Sequence, residues 1–472
     1  MHYHKKGGSK LFKNIKDPIH GYIELEEEDM EILNTNYLER LRYIHHLGTG
    51  FLIYPGATHS RFEHSLGVMY LGTRIFESLV KNYPDFWEGL SNEKIKQYRQ
   101  TLRWACLLHD VGHLPFSHVF EDLFNIEKIS TDLKREDFKE IIPYSNEVQD
   151  IQVDNIHELL GSYIVIKEYK DKLEDYGVNP KEVAAIILGK IYNTEKVRIK
   201  YLNVIKSIVS SPIDVDKLDY LLRDNYMTGA KLVSLDVERI LASYCVFRNE
   251  LHLNDKAISV IMNLINSREL MHLWVYQHHK VSFTEFLLKT MIKRMCKIDD
   301  KFEEKYLSVN CILALKDDCD ILSEIKNNVD DEVIKHYYGM WINRKYLSSC
   351  WKHRFDLRQI TDPNLVKKFT SLCENEYTME DLKRKICEDL SIDTNDLIIA
   401  IKKYTPFTPK QAEEICIIIN NEPVSLNELD LLHTNEITFG TTPYIYCPKD
   451  KKEDLRKWMK EGLEKYITLK IG

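Results

Sequence analysis

The stretch Leu107 to Phe120, LLHDVGHLPFSHVF, decides how the rest of the chain is read. His109 and Asp110 are adjacent, so one helix end offers an imidazole nitrogen and a carboxylate oxygen to a single metal ion. Gly112 and Pro115 then break the helix that leads up to the pair. That helix is expected to start at Ser91, whose hydroxyl suits an N-cap, and to run through Leu102 to Leu108. Alone, a His-Asp dipeptide arises by chance in many chains, and a lone His on an apolar helix is usually a core or surface residue. The wider distribution of histidine argues against chance. Of 18 His, 11 lie in the first 157 residues, with His59, His64, His109, His113, His118 and His157 as the cluster. His2, His4 and His433 read as surface residues.

Moving outward, Phe62, Leu66, Met69, Ile75, Phe76 and Leu79 fall close to an i, i+3, i+4, i+7 stripe, which predicts a helix over 61–80. That helix carries His64, a third ligand from a neighbouring element. A fourth is available in PIDVDKLDYLLRD, residues 212–224. Asp214, Asp216 and Asp219 cannot all share one helical face, but Asp216, Asp219 and Tyr220 can. Two His and two Asp suit an open site for Zn, Mn or Fe. Such a metal acidifies bound water and polarises a phosphoryl oxygen.

Residues 1–25 read as a basic arm that ends in the turn Asp17-Pro18-Ile19-His20-Gly21. Residues 126–155 are charged and aperiodic and read as a solvated insertion. Pro180 stands at a typical first helical position. Helical pattern covers 196–209, 214–224 and 256–295, and continues to about residue 392. Three β-like runs follow, at 397–401, 415–419 and 444–447, and then an amphipathic helix over 453–466. The expected fold is mainly α. An N-terminal arm (1–25) precedes a helical lobe (26–298), and a smaller C-terminal lobe (299–472) mixes helices with α/β structure. No internal repeat or low-complexity tract is visible.

Composition excludes several classes. Hydrophobic residues make up 44% and charged residues 29%, as in ordinary globular proteins rather than disordered or fibrous chains. Lys plus Arg is 65 against 73 Asp plus Glu, a net charge of -8, so the chain is not built for general nucleic-acid binding. None of the 10 Cys forms a C-x-x-C pair, which disfavours a zinc ribbon or thioredoxin-type motif and fits free thiols in a reducing cytoplasm. The opening MHYHKKGGSKLFKNIKD lacks the apolar core of a signal peptide. No run approaches the ~18 apolar residues of a membrane span.

The strings KDPIHGYIEL, RLRYIHHLGTG, YPGATHSRFEHSLGV, LLHDVGHLPFSHVF, IDVDKLDYLLRD and YQHHK appear in this order between about residues 13 and 290. Together they resemble the HD-domain metal-dependent phosphohydrolases. The resemblance is closest to the dNTP triphosphohydrolase branch, which includes dGTPase-like enzymes and the vertebrate enzyme joining a sterile-alpha-motif domain to an HD domain. The resemblance implies an all-helical HD lobe whose metal ligands are His64, His109, Asp110 and Asp216. It implies one divalent ion per subunit (Mn, Fe or Zn), with Mg accompanying substrate. His113, His118 and His157 would line the α-phosphate. His157 would be the general acid toward the leaving 5′-oxygen, oriented by Glu121, which stands where the family commonly has Asp. Arg61, Lys217, Tyr220, Arg268 and Tyr276 match positions that hold phosphates or sugar. Leu47 and Tyr276 would wall the 2′ side, and Asp224 would accept a bond from the 3′-hydroxyl. His46 stands where better-known members have a sugar-contacting Gln.

The chemistry of a triphosphate agrees with this. Its roughly four negative charges call for several Lys and Arg within hydrogen-bond reach. In the vertebrate enzyme an Asp, a Gln and an Arg read a regulatory guanine nucleotide. The corresponding segment LNTNYLERLR supplies Asn34, Glu39 and Arg42, and by the resemblance Arg42, Lys13 and Lys256 would be phosphate contacts at that regulatory site. An amide at residue 34 cannot accept guanine's two N–H groups as a carboxylate does, so GTP is not expected to be the obligatory activator.

Three functions compete. The first is a metal-dependent dNTP triphosphohydrolase, nucleotide-regulated and homo-oligomeric (a tetramer or hexamer by resemblance), releasing deoxynucleoside and triphosphate. The second is an HD-type phosphodiesterase or nuclease on another nucleotide. The third is a nucleotide sensor or scaffold with a vestigial metal site, which the intact ligand set disfavours.

Overall fold

Asp17 closes the first described hairpin. Its Oδ1 accepts the amides of Ile19 and His20, both at 2.8 Å, and Gly21 takes φ +79° so that the chain can reverse. The strands β1 (Lys13–Asp17) and β2 (Gly21–Leu25) pair antiparallel, with Ile23 and Leu25 buried. The computed structural model describes residues 13–124, 156–191, 196–402, 407, 409–429 and 441–471. The insertion expected at 126–155 lies outside the described residues.

The fold is mainly α. Its principal helices, numbered here along the chain, begin with α1 (Arg61–Asn82) and α2 (Asn92–Leu108). Ser60 and Glu63 form a reciprocal capping box at the start of α1. Ser91 Oγ accepts the Lys94 amide at 3.2 Å and caps α2 as its sequence predicts. α3 (Ile156–Glu168), α4 (Pro180–Ile187) and α5 (Lys196–Val209) pack around this pair. Pro180 occupies the first turn of α4, behind an Asn179 cap. α6 (Val215–Thr228) is capped by Asp214, which accepts the Lys217 amide at 2.9 Å. Asp214 therefore serves the helix end.

Residues 244–254, in the stretch expected to be all-helical, contain a hairpin, β3 (Tyr244–Phe247) and β4 (Glu250–Asn254). Arg248 and Asn249 turn it with φ of 50° and 68°. That two-residue loop matches the twist of paired strands, but Arg-Asn is not a turn pair that sequence reading flags. The predicted 256–295 helix is interrupted. α7 (Ile258–Met271) runs into a π-helical turn, His272–Tyr276, before α8 (His279–Ile298) resumes. α9 (Asp318–Asn327) follows further along the chain.

The three expected β-like runs are strands. β5 (Ser348–Ser349), β6 (Ile398–Lys402) and β9 (Thr442–Cys447) form a sheet in the order β5-β9-β6. β7 (Cys416–Ile419) and β8 (Glu422–Ser425) extend the β3–β4 hairpin, because β4 pairs parallel with β7. The closing helix α10 (Lys452–Ile471) outlasts the predicted 453–466. No helix among the described residues is long and apolar enough to cross a membrane.

Candidate active site

Three helix ends and one loop bring His64, His109, Asp110 and Asp216 to a common point. His64 comes from the first turn of α1, His109 caps the C-terminus of α2, and Asp216 lies in the first turn of α6. His64 Nε2 stands 2.8 Å from Asp216 Oδ1 and 3.3 Å from His109 Nε2. His109 Nε2 lies 3.3 Å from Asp110 Oδ1 and 3.7 Å from Asp216 Oδ1, and His64 Nε2 is 3.8 Å from Asp110 Oδ2. Ligands at 2.0–2.1 Å around a tetrahedral ion are roughly 3.3 Å apart, so His64, His109 and Asp216 fit a divalent cation, while Asp110 approaches His109 and His64 through different oxygens.

Each imidazole is fixed from behind. His109 Nδ1 donates to the Cys106 carbonyl (2.7 Å), which leaves Nε2 facing the other three groups. His64 Nδ1 donates to Asp219 Oδ2 at 2.8 Å. Asp219 in turn accepts from Arg223 and from His20 Nε2 (2.6 Å), and Arg223 Nη1 reaches Asp17 at 2.8 Å. Gly67, one turn along α1 from His64, makes room for this ion network, since a Cβ there would collide with the Asp219 carboxylate and Arg223. Such backing sets ring orientation and ligand basicity. Burial disfavours a charged His64, but hydrogen bonds to Asp216 and Asp219 push it up to about 10. Burial would raise Asp110, yet the charges of Arg61, His109 and His113 hold it well below the usual carboxylate range. The Asp219→Asn protein is expected to bind its metal about 10- to 100-fold more weakly, because the imidazole loses a charged acceptor. Metal retained against a graded chelator series measures this, and an unchanged affinity would remove Asp219 from the assignment.

A second group surrounds Glu121. Its Oε1 accepts His113 Nδ1 (2.6 Å), and its Oε2 accepts His118 Nδ1 (2.9 Å) and His157 Nδ1 (3.2 Å). The Glu side chain, longer than Asp, thus reaches all three rings. His113 and His157 stack with centroids 3.8 Å apart. That approach depends on Gly112, where a Cβ would strike the His157 carbonyl and the Gly161 backbone of α3. Burial lowers His157, but Glu121 outweighs it and the net shift is upward. His113 goes the other way, to about 4, through burial and the charges of Arg61 and His157. Burial opposes ionisation of Glu121, yet His157, His113 and His118 hold it well below its ordinary value. His118 is the exposed member, its side chain 61% accessible.

Both groups border a cavity of about 1580 Å³, which His46, Leu47, Arg61, Lys217, Tyr220, Asp224, Arg268 and Tyr276 also line. Arg61 is committed to the site's own structure: its Nη1 holds Asp110 Oδ2 at 2.9 Å and its Nε reaches Ser117 Oγ at 3.0 Å. Lys217 Nζ contacts Asp214 Oδ2 (2.5 Å) and the Ser211 carbonyl (3.0 Å). Arg268 differs, because its buried Nε and Nη1 have no hydrogen-bond partner among the described residues. Asp224 accepts from the Tyr276 hydroxyl (2.7 Å) and from His59 Nε2 (2.8 Å). The π-helical turn delivers Tyr276, and π-bulges recur at functional sites. Burial, Arg61 and His64 push His46 well below its ordinary value, so it stands neutral beside Asp224.

The five regulatory positions are not brought together in one described contact. Glu39 and Arg42 pair with each other at 2.7 Å, and Arg42 lies over the Phe62 ring. Asn34 caps the short helix Glu27–Leu33, while Lys13 and Lys256 are exposed elsewhere. Sequence reasoning assigned no role to Arg223 or Asp318 and counted His59 in the histidine cluster without a particular role. The Asp17 and His20 signal was present in the DPIHG turn, but only as a turn.

Two family regions match the chain. Residues 61–223 match the HD domain and residues 235–466 the HD associated region. The chain is 31% identical over 348 residues to a bovine (Bos taurus) protein named deoxynucleoside triphosphate triphosphohydrolase SAMHD1, covering 68% of this chain and 54% of that one. It is 29% identical over 456 residues to the uncharacterized protein MJ1154 of Methanocaldococcus jannaschii, covering 94% and 81% of the two chains. It spans about half the length of the mammalian relatives it matches. A crystal structure of a hypothetical protein from Aquifex aeolicus shares the fold, with a TM-score of 0.65 at 20% identity, over 95% of this chain and 100% of that one. With an HD domain followed by its associated region, and with the His and Asp side chains of that domain gathered at one point, the chain belongs to the HD-domain family.

Proposed function

We propose that the protein is a metal-dependent deoxynucleoside triphosphate triphosphohydrolase, releasing a deoxynucleoside and triphosphate. The observation that carries this reading is the meeting of the two groups: His109, Asp110 and Asp216, with His64 buried behind them, and the Glu121-bound histidines face one cavity that Arg268 also lines, its Nε and Nη1 without a hydrogen bond among the described residues. Those donors would hold a divalent ion, which would supply Lewis-acid polarisation and lower the pKa of a water. Asp219 and the Cys106 carbonyl keep both imidazoles in the ligating tautomer. Arg61 holds Asp110 ionised and oriented. Arg268 and Lys217 offset charge on the phosphate chain, and His113 and His118 line the α-phosphate. His157, kept protonated by Glu121, gives its proton to the departing 5′-oxygen. Leu47 and Tyr276 close the space a 2′-hydroxyl would need, while Tyr220 packs on the sugar side with Tyr276. Asp224 accepts from the 3′-hydroxyl, and His46 lies beside it. The active lobe in this reading is 26–298, working as a homo-oligomer.

The test is incubation with each dNTP and NTP in Mn or Mg, resolving triphosphate from diphosphate. Triphosphate plus deoxynucleoside supports the proposal. Diphosphate or monophosphate products, or activity confined to cyclic or oligomeric nucleotides, would favour the phosphodiesterase or nuclease reading. The same assay bears on regulation. Asn34 offers one acceptor and one donor where guanine presents two donors, and Glu39 is already paired to Arg42. An unpaired polar group there costs roughly 1–3 kcal/mol. Hydrolysis is therefore expected without GTP, with a dNTP or no activator taking that role, and a strict GTP requirement would refute this.

A further inference from the structure

The turn that carries His118 and Glu121 is built on two consecutive non-glycine residues in the left-handed region, Phe116 at φ 56° and Ser117 at φ 55°. Such backbone persists only where its surroundings over-determine it. The restraint comes from far along the chain. Asp318, the first residue of α9, is 1% exposed. Its Oδ1 accepts the Phe116 amide at 2.6 Å, and its Oδ2 accepts both the amide (3.0 Å) and Nδ1 (2.7 Å) of His45. His45 directly precedes His46 and Leu47, which line the cavity. Ser117 Oγ closes the arrangement, donating to the His45 carbonyl at 2.9 Å while accepting from Arg61 Nε. Arg40 braces the same loop from behind, bonding the Lys316 carbonyl at 2.8 Å and the His113 carbonyl. Asp318 itself does not line the cavity.

We infer that Asp318 is a positioning residue. Through it the HD-associated region fixes the turn bearing His118 and Glu121 against the His46–Leu47 wall. One carboxylate serves two separate loops, so removing it frees both at once. This inference rests on the proposed hydrolase reading, because its consequence is catalytic. The bland reading is that Asp318 only stabilises the start of α9. Its neighbour Asp317 separates the two, since Asp317 caps α9 by accepting the Cys319 (2.8 Å) and Asp320 (3.2 Å) amides and contacts neither loop.

The experiment compares the full-length parent with Asp318→Ala, Asp318→Asn and Asp317→Ala. Each is assayed for metal content, for kcat and KM on the best deoxynucleotide, and for amide hydrogen exchange. Asp318→Ala is expected to lose about 10- to 100-fold in kcat, the scale on which small misplacements act, with metal content unchanged and KM within about threefold. Asp318→Asn keeps one acceptor oxygen and should fall between, and it carries the comparison if the alanine protein does not fold. Exchange should quicken in peptides covering 44–47 and 114–121 for the Asp318 variants and stay at parent rates for Asp317→Ala. A kcat within twofold of the parent, unchanged exchange in both peptides, or equal losses in Asp317→Ala would overturn the inference. If the parent hydrolyses no deoxynucleotide, the functional reading alone has failed, and the exchange comparison still decides whether Asp318 holds both loops.

Discussion

Replacing His109 and Asp110 together with alanine is expected to reduce both metal retention and hydrolysis to background. Two of the four donors disappear, and the remaining pair, His64 and Asp216, stand 2.8 Å apart with nothing to complete a coordination shell. Without an ion held there, nothing would lower the pKa of a water at the site, and the nucleophile at neutral pH would be lost. Asp110 also pairs with the buried Arg61, so its loss leaves a guanidinium without its carboxylate. A buried charge stripped of its partner costs about 3–5 kcal/mol, and thermal unfolding must therefore accompany the assay. His109→Ala alone spares the Arg61 pair and separates ligand loss from instability. Mass-spectrometric metal analysis of the purified variants is the direct measurement. Stoichiometric metal in the folded double variant would sink the ligand assignment.

The His157→Ala protein should keep its metal and lose a factor of about 10² to 10⁴ in kcat, the usual contribution of a positioned general acid. His157 contacts Glu121 and stacks on His113, outside the His64–His109–Asp216 group. Its pH signature follows from the raised pKa that Glu121 imposes against burial. A general acid works only when protonated. The active form is therefore fully present below that raised pKa and is lost as pH rises through it, giving an alkaline limb displaced above the ordinary histidine value. The limb should be missing from the profile of His157→Ala. An unchanged rate and an unchanged limb would transfer the proton to His118, the ring of the three that is open to solvent.

Much of this site was legible from the chain because its signals are local. The Ser91 cap, Pro180 at a first turn, the break at Gly112 and Pro115, and the adjacent His109 and Asp110 each depend on residues within one helical turn of each other. Helical spacing also set Asp216, Asp219 and Tyr220 on one face, though it could not say which carboxylate faces the other ligands. Packing decided that. Asp219 is claimed by Arg223, His20 and the rear nitrogen of His64, which leaves Asp216 at the front. The β3–β4 hairpin escaped because Arg248-Asn249 lacks a turn signature, and its strands are completed by β7, about 160 residues later. The π-helical turn escaped because its residues read as continuous helix. Glu121 could be placed near one histidine by spacing, but its grip on three requires α3 to approach Gly112. Asp318 lies 273 residues from His45 and 202 from Phe116. The chain by itself therefore determined the helical fold and the residue types gathered for metal and phosphate chemistry, since periodicity and capping act over a few residues. Which carboxylate meets which imidazole was decided only by the tertiary structure, because hydrogen bonds between buried groups depend on how distant elements pack and carry no trace in local sequence.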